Sequence, residues 1–397
     1  MAEPWLSIIG LGEDGPAGLT EASRAALADA EIVFGGPRHL ALVGAEARGR
    51  DWPVPFSVAP VLDCRGRKVA VLASGDPFWH GAGGVLAGHL KPGEWRSFPA
   101  PSSFALAANR LGWRLEDLSC HGLHAAPFER LLPHLGRGQR LICTLRDGAA
   151  AGELAAWLAA EGAGDARLWL LERLGGPAER LRETTAAGFD LTDIQAPVAL
   201  AVEVVTGAGL AATPGLPDDA FAHDGQITKQ PLRVLTLCAL APRKGAMLWD
   251  IGAGSGSISV EWCLLGGRAL AIEARADRAD NIARNIARFG LGERMRVIEA
   301  RIGAGALPEA LRQTRPDAVF IGGGADAALL QALFATLPPG TRLVMNAVTL
   351  ETEALVLDWH ARRGGELMRI EIARAAPLGS LRGWTPARPL VQWSALT

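Results

Sequence analysis

Residues 248 to 262 read LWDIGAGSGSISVEW, an apolar run of strand length that breaks into glycines at every second position and then resumes as a helical pattern. That order of strand, glycine turn and helix fits a βα unit whose backbone meets a ligand. Residues 247 to 251 are the expected buried parallel strand, Gly252, Gly254 and Gly256 the turn, and residues 257 to 265 the start of the helix. Glycine removes the Cβ that would hold a ligand away from the backbone, and the helix start offers unpaired N–H groups.

Three cofactor classes use such a turn. A P-loop ends in Gly-Lys-Ser or Gly-Lys-Thr, but Gly256 is followed by Ser257 and Ile258, which excludes ATP or GTP at this loop. A dinucleotide fingerprint needs GxGxxG, whereas this loop spells GxGxG and starts from Asp250, whose carboxylate would repel a pyrophosphate. A cationic, phosphate-free ligand such as S-adenosylmethionine suits it better, with Glu273 at the end of the next strand, LAIEA, accepting from both ribose hydroxyls. The fourth strand ends VFIGGGAD, where Gly322 faces the same site and no Asn-Pro-Pro-aromatic clamp for nucleic-acid amines follows. A small-molecule substrate is expected.

The alternation recurs along the chain. WLSIIGLG, LTEASRAALADA, EIVFGG and KVAVLASGD in the first half, and AMLWDIGAG, ISVEWCLLG, RALAIEA and ADNIARNIARFG in the second, predict two α/β domains with parallel sheets. Residues 207 to 225, GAGLAATPGLPDDAFAHDG, concentrate Gly, Pro and Asp without a period, which is linker composition. The expected boundaries are a first domain over 1–208, a linker over 209–222 and a second domain over 223–397.

Hydrophobic residues make up 49% of the chain and charged residues 21%, and 40 Lys and Arg nearly balance 42 Asp and Glu. That composition describes a soluble globular protein and asks for no nucleic acid. MAEPWLSIIGLGEDG has no basic leader and only a short apolar run, so a cytoplasmic enzyme without a membrane anchor is expected. Five scattered cysteines without a CxxC pair argue against a disulfide framework and a structural zinc site.

In the first half, GLGEDGPAGLT (10 to 20), LASGDPFWHG (72 to 81) and PAPSSFALAANRLGW (99 to 113) together resemble the tetrapyrrole methylases, a different S-adenosylmethionine fold with two α/β lobes. The resemblance implies that the SGDP loop and the paired serines line the cofactor cleft, which carries over to Gly75, Asp76, Ser102 and Ser103. It continues through HDGQITKQPLRVLTL, LWDIGAGSGSISVEW, FIGGG, NAVTLETEA and GWTPARPLVQW, so the whole chain resembles the fused, decarboxylating methyltransferases of aerobic cobalamin biosynthesis. That implies an N-terminal tetrapyrrole methylase fold followed by a C-terminal class I Rossmann-like methyltransferase domain, with one S-adenosylmethionine site in each. The first domain would methylate C5 of a precorrin. The second would methylate C15 and remove CO2 from the ring C acetate, giving precorrin-8X. The implied partners are the tetrapyrrole, a second copy of the chain and, transiently, neighbouring pathway enzymes.

Thr228 and Lys229, in QITK, are implied to close over cofactor or substrate, against the alternative of a solvated lysine at a helix start. His124 matches a family loop that lines the substrate cleft. The chain departs from the family at VIEARIGAGALPEAL, which carries extra residues and Ala306 where an acid is often found, so the adenine contact is expected from backbone near Gly305.

Methyl transfer is an in-line displacement that needs positioning more than a protein nucleophile. Loss of CO2 needs an electron sink, which a protonated imine of the macrocycle supplies. Asn346, Thr349 and Glu351, in NAVTLE after the fifth strand, are expected to orient or protonate the macrocycle, although Thr349 and Glu351 equally suit a capped helix start. Cys120, His121 and His124 lack a nearby fourth ligand, so no metal is expected. His39, His80, His89, His134, His223 and His360 show no catalytic spacing, and Trp384 and Trp393 in the terminal motif are placed to overhang the site. Two competing functions are a single-site methyltransferase with a non-catalytic N-terminal carrier domain and an NAD-dependent oxidoreductase, the latter disfavoured by Asp250.

Overall fold

In the computed structural model, which describes residues 4–302 and 307–397, the chain divides into two compact units, Met1–Gly209 and Leu210–Thr397. The first unit holds two sheets. Strands β1 (Leu6–Leu11), β2 (Ile32–Gly35), β3 (Gly49–Asp51), β4 (Val69–Ser74) and β5 (Trp95–Phe98) form an all-parallel sheet in the order β3-β2-β4-β1-β5. Leu6, Ile8, Val69 and Val71 fill one face, and Ile9, Leu11, Ala70 and Leu72 the other. A parallel sheet covered on both faces needs such unbroken apolar strands.

The second sheet departs from the expected parallel pattern. Strands β6 (Ser119–Gly122), β7 (Arg140–Leu145), β8 (Arg167–Glu172), β9 (Arg180–Thr185) and β10 (Val198–Glu203) run in the order β6-β7-β10-β8-β9. Only β6 and β7 pair in parallel. The reason is local: the few residues between β8 and β9 are too short for a crossover helix, so the chain turns back as a hairpin. β9, the edge strand, alternates half-buried and exposed residues along its length.

The second unit is one sheet of seven strands. β11 (Met247–Ile251), β12 (Arg268–Glu273), β13 (Met295–Glu299), β14 (Ala318–Ile321) and β15 (Arg342–Ala347) are parallel, and β16 (Glu366–Ile370) and β19 (Leu390–Leu396) close the sheet antiparallel. The order is β13-β12-β11-β14-β15-β19-β16. The strand order reverses between β11 and β14, and in such sheets the crevice beyond the strand ends at that point takes the ligand.

Between β16 and β19 the chain forms a separate hairpin, β17 (Ala373–Leu378) and β18 (Leu381–Pro386), which leaves Trp384 76% exposed. Trp393, expected alongside it near the site, is fully buried in the core with Phe334 and Trp359. From Leu210 onward the stretch with linker composition is folded onto the second unit: Leu216 and Phe221 belong to its core, and Asp218–Ala220 forms a 3-10 turn. Among the described residues no helix is long and apolar enough to cross a membrane.

Candidate functional sites

The first unit encloses a cavity of about 710 Å3 beyond the C-terminal ends of β1 and β4. Gly75, Ser102 and Ser103 border it, as does His124. Gly75 has φ +57°, and a Cβ there would lie 2.7 Å from Ser102 Cα and 2.8 Å from the Pro101 carbonyl, so two loops meet backbone to backbone at a point only glycine allows. Ser102 is buried because its Oγ caps the helix Ser103–Leu111, accepting from the Ala105 N–H at 3.1 Å. Asp76 does not line the cavity. Its carboxylate turns back on its own loop and accepts from the Phe78 N–H at 2.8 Å, so its work is to shape the loop.

In the second unit the turn over residues 252–256 follows β11, and the helix Ser257–Leu264 follows the turn. Gly252, at φ +68°, touches the loop after β14: a Cβ would lie 2.6 Å from the Gly323 carbonyl oxygen, and one on Gly322 would lie 2.9 Å from the Gly252 carbonyl. The two loops of the crevice are therefore in backbone contact. Gly256 faces Met295 and Ile282, and Gly254 lies under the segment containing Gln226.

Glu273 is buried, and its Oε2 accepts from the Gly254 N–H at 2.9 Å while Oε1 accepts from Ala274 and Arg275 N–H groups. It ties the glycine loop to β12 and keeps lone-pair room on Oε2 for one donor of a bound nucleoside. Asp250 corrects the expectation of a carboxylate facing the cofactor. It is wholly buried; Oδ2 accepts from Ser259 Oγ at 2.7 Å and Oδ1 has no partner. Burial, with a smaller push from the Glu273 charge, raises its pKa from 3.8 to about 7. The glycine turn, the free lone pair on Glu273 and the switch-point crevice fit a phosphate-free nucleoside, and Asp250 supports the loop from beneath.

Family models match both units. "Tetrapyrrole (Corrin/Porphyrin) Methylases" matches residues 6–190, and "Precorrin methyltransferase domain" matches residues 219–397. A precorrin-6Y C(5,15)-methyltransferase [decarboxylating] of Sinorhizobium sp is 45% identical, covering 99% of this chain and 97% of the relative. The chain belongs to the family of precorrin-6Y C(5,15)-methyltransferases.

A member from Mycobacterium tuberculosis (strain CDC 1551 / Oshkosh) is 40% identical over 98% of each chain. A probable cobalt-precorrin-6B C(15)-methyltransferase (decarboxylating) of Pyrobaculum aerophilum is 34% identical over 45% of this chain and 94% of its own length. The chain is thus a methyltransferase, and S-adenosylmethionine is its methyl donor.

Within this member of the precorrin-6Y methyltransferase family, several expected site residues have structural partners. Asn346 is 8% exposed and sits in a polar knot: its Nδ2 donates to Thr236 Oγ1 at 2.9 Å, and its Oδ1 accepts from Gln392 Nε2 at 2.9 Å. It faces the helix Gln230–Leu240, and both polar atoms of its side chain are engaged within the fold. Thr349 caps the helix Leu350–Arg363 through a reciprocal box with Thr352, and Glu351 is an exposed residue of that helix's first turn. Lys229 is exposed and lies 3.7 Å from Asp218, while the Thr228 carbonyl accepts from Arg233 at 2.6 Å. Both fasten a helix start. Residues 303–306, with Gly305 and Ala306, lie outside the described residues.

Two further cavity residues had shown no catalytic spacing in the sequence. His39 and His80 both line the first unit's cavity. His80 adopts φ +58°, a left-handed conformation rare for histidine, and its ring leans on Phe104. The available signals were position, since each follows a strand, and for His80 its place in LASGDPFWHG. Among the described residues no group of three or more His, Cys, Asp or Glu is placed to hold a metal ion.

Proposed function

We propose that the chain carries two methyl-transfer sites, the first unit methylating C5 of a precorrin and the second methylating C15 and releasing CO2 from the ring C acetate, with precorrin-8X as product. What carries this reading is that the 45% match to a relative of that name runs through both units. The single-site alternative leaves unexplained why the first unit keeps a glycine-lined cavity of cofactor size.

S-adenosylmethionine supplies an electrophilic methyl carbon on a sulfonium. The chain's own residues position the partners. In the first unit the loops around Gly75 and Ser102 fix one wall of the cavity, and Trp52, Phe56, Trp79 and Phe104 give the other walls apolar faces suited to a flat macrocycle. In the second unit the turn over residues 252–256 presents backbone N–H groups, and Glu273 fixes its register. Placing carbon and methyl about 3 Å apart in line removes several kcal/mol of barrier without a protein nucleophile.

Titration of the full chain with S-adenosylmethionine is expected to give two sites per chain. Incubation with precorrin-6B and methyl-labelled cofactor, followed by NMR of the product, should place label at C5 and C15. A stoichiometry of one, or label at C5 lost when only the second unit's loop is disabled, overturns the assignment.

A further inference from the structure

Three elements of the first unit bring charge together beside its cavity, which Glu13 and Arg38 line. Glu13 comes from the loop after β1, Arg38 from the helix Pro37–Leu42, and Arg173 directly follows β8. Glu13 is 7% exposed and forms ion pairs with both arginines, with Arg173 Nε 3.7 Å from its Oε2. Two guanidinium groups share one carboxylate, which leaves one positive charge in excess. Arg173 is held at φ +50°, a left-handed conformation that is unfavourable for an arginine and persists where the surroundings impose it.

Arg38 is also locked in plane. Its Nη2 lies 2.9 Å from His39 Nε2 and 3.1 Å from Ser74 Oγ, and Ser74 immediately precedes Gly75 of the cofactor loop. A guanidinium only donates, so His39 Nε2 accepts and the ring is neutral with its proton on Nδ1. Burial, and then the charge of Arg38, push His39 down to about 4, consistent with that form. His39 and Ser74 both sit within hydrogen-bond distance of Nη2, and Nη1 forms the ion pair with Glu13. The rest of the side chain, 38% exposed, is open to the cavity it lines.

Building on the tetrapyrrole reading above, we propose that Arg38, held with Arg173 around Glu13, anchors a side-chain carboxylate of the macrocycle in the first unit's cavity. The aromatic walls take the flat ring, and the excess charge takes one acid of its rim. His39 adds no charge and acts as a positioning residue that keeps the guanidinium beside the cofactor loop.

The test uses the full chain, a precorrin substrate and C5 methylation as readout. Arg38→Gln should raise KM for the precorrin about 10- to 100-fold, the loss of a charged hydrogen bond, with kcat within about threefold and S-adenosylmethionine affinity unchanged. Arg38→Lys should fall between the two. Glu13→Gln frees both arginines and should lower the precorrin KM, which a merely structural triad would not do; this variant decides the matter if Arg38→Gln fails to fold. An unchanged KM in folded Arg38→Gln, or a raised KM in Glu13→Gln, overturns the subsite. Absence of any tetrapyrrole methylation by the wild-type chain overturns the functional reading, and the subsite with it.

Discussion

Arg233 and Glu261 form an ion pair sealed from solvent, Nε to Oε1 at 2.5 Å, with side chains 0% and 2% exposed. Glu261 also accepts from the Gly215 and Leu216 N–H groups, and Arg233 reaches Asp218 and the Thr228 carbonyl. One pair therefore fastens residues 215–228 to the helix that begins at the glycine turn. Removing Glu261 leaves the buried Arg233 with only the partly exposed Asp218 as counter-charge, so Glu261→Ala should cost about 3–5 kcal/mol, and the double change Arg233→Met with Glu261→Leu distinctly less. Urea unfolding of the second unit measures both; equal losses in the single and double variants would contradict the account.

Gly252→Ala places a Cβ 2.6 Å from the Gly323 carbonyl at a positive φ. The two loops of the second crevice must then part. Cofactor affinity at that site should fall at least about tenfold, from roughly 1–2 kcal/mol of backbone strain before any clash is counted. C15 methylation and CO2 release should go with it while C5 methylation continues. Product analysis by mass and NMR checks this, and parallel loss of both methylations would refute it.

The carboxyl of Asp250 makes stability depend on pH in a defined sense. Its pKa is raised on folding from 3.8 to about 7, so the native state holds a proton that the unfolded chain releases. The stabilising contribution is complete below about pH 4, declines as pH rises towards 7 and is gone above it. Asp250→Asn should therefore gain stability relative to wild type at pH 8 and lose that advantage near pH 4. Thermal unfolding across this range tests it; a variant that loses more at pH 8 than at pH 5 would show that the charged form is the stabilising one.

Thr349 separates capping from catalysis. Thr349→Ala removes an N-cap and should cost about 1 kcal/mol, with C15 methylation and CO2 release at wild-type rates. Thr349→Ser should restore the stability. A drop in turnover without a drop in stability would return Thr349 to the reaction.

Both α/β units were legible from the alternation of apolar runs, and the glycine turn from its spacing. What could not be read was where a polar side chain at a strand end points. Asp250 and Asn346 end neighbouring parts of one sheet, yet both turn inward, because pleat parity and remote partners decide: Thr236 lies 110 residues from Asn346. Trp384 and Trp393 share one motif, and only the pairing of β19 between β15 and β16 sends one into the core. The antiparallel second sheet was hidden for a similar reason, since strand direction follows connection length rather than strand composition. His39 was passed over because its partners, Arg38 and Ser74, form a group only after β2 and β4 pair.

Gly75 and Gly252 lie in two units with different sheets, and each is pressed against neighbouring backbone where a single added carbon has no room. A side chain at either position has to move a whole loop before it fits, whereas a change to an aromatic residue lining the first unit's cavity alters only a wall. The shape of each loop is thus set by backbone alone, independent of whatever side chains surround it.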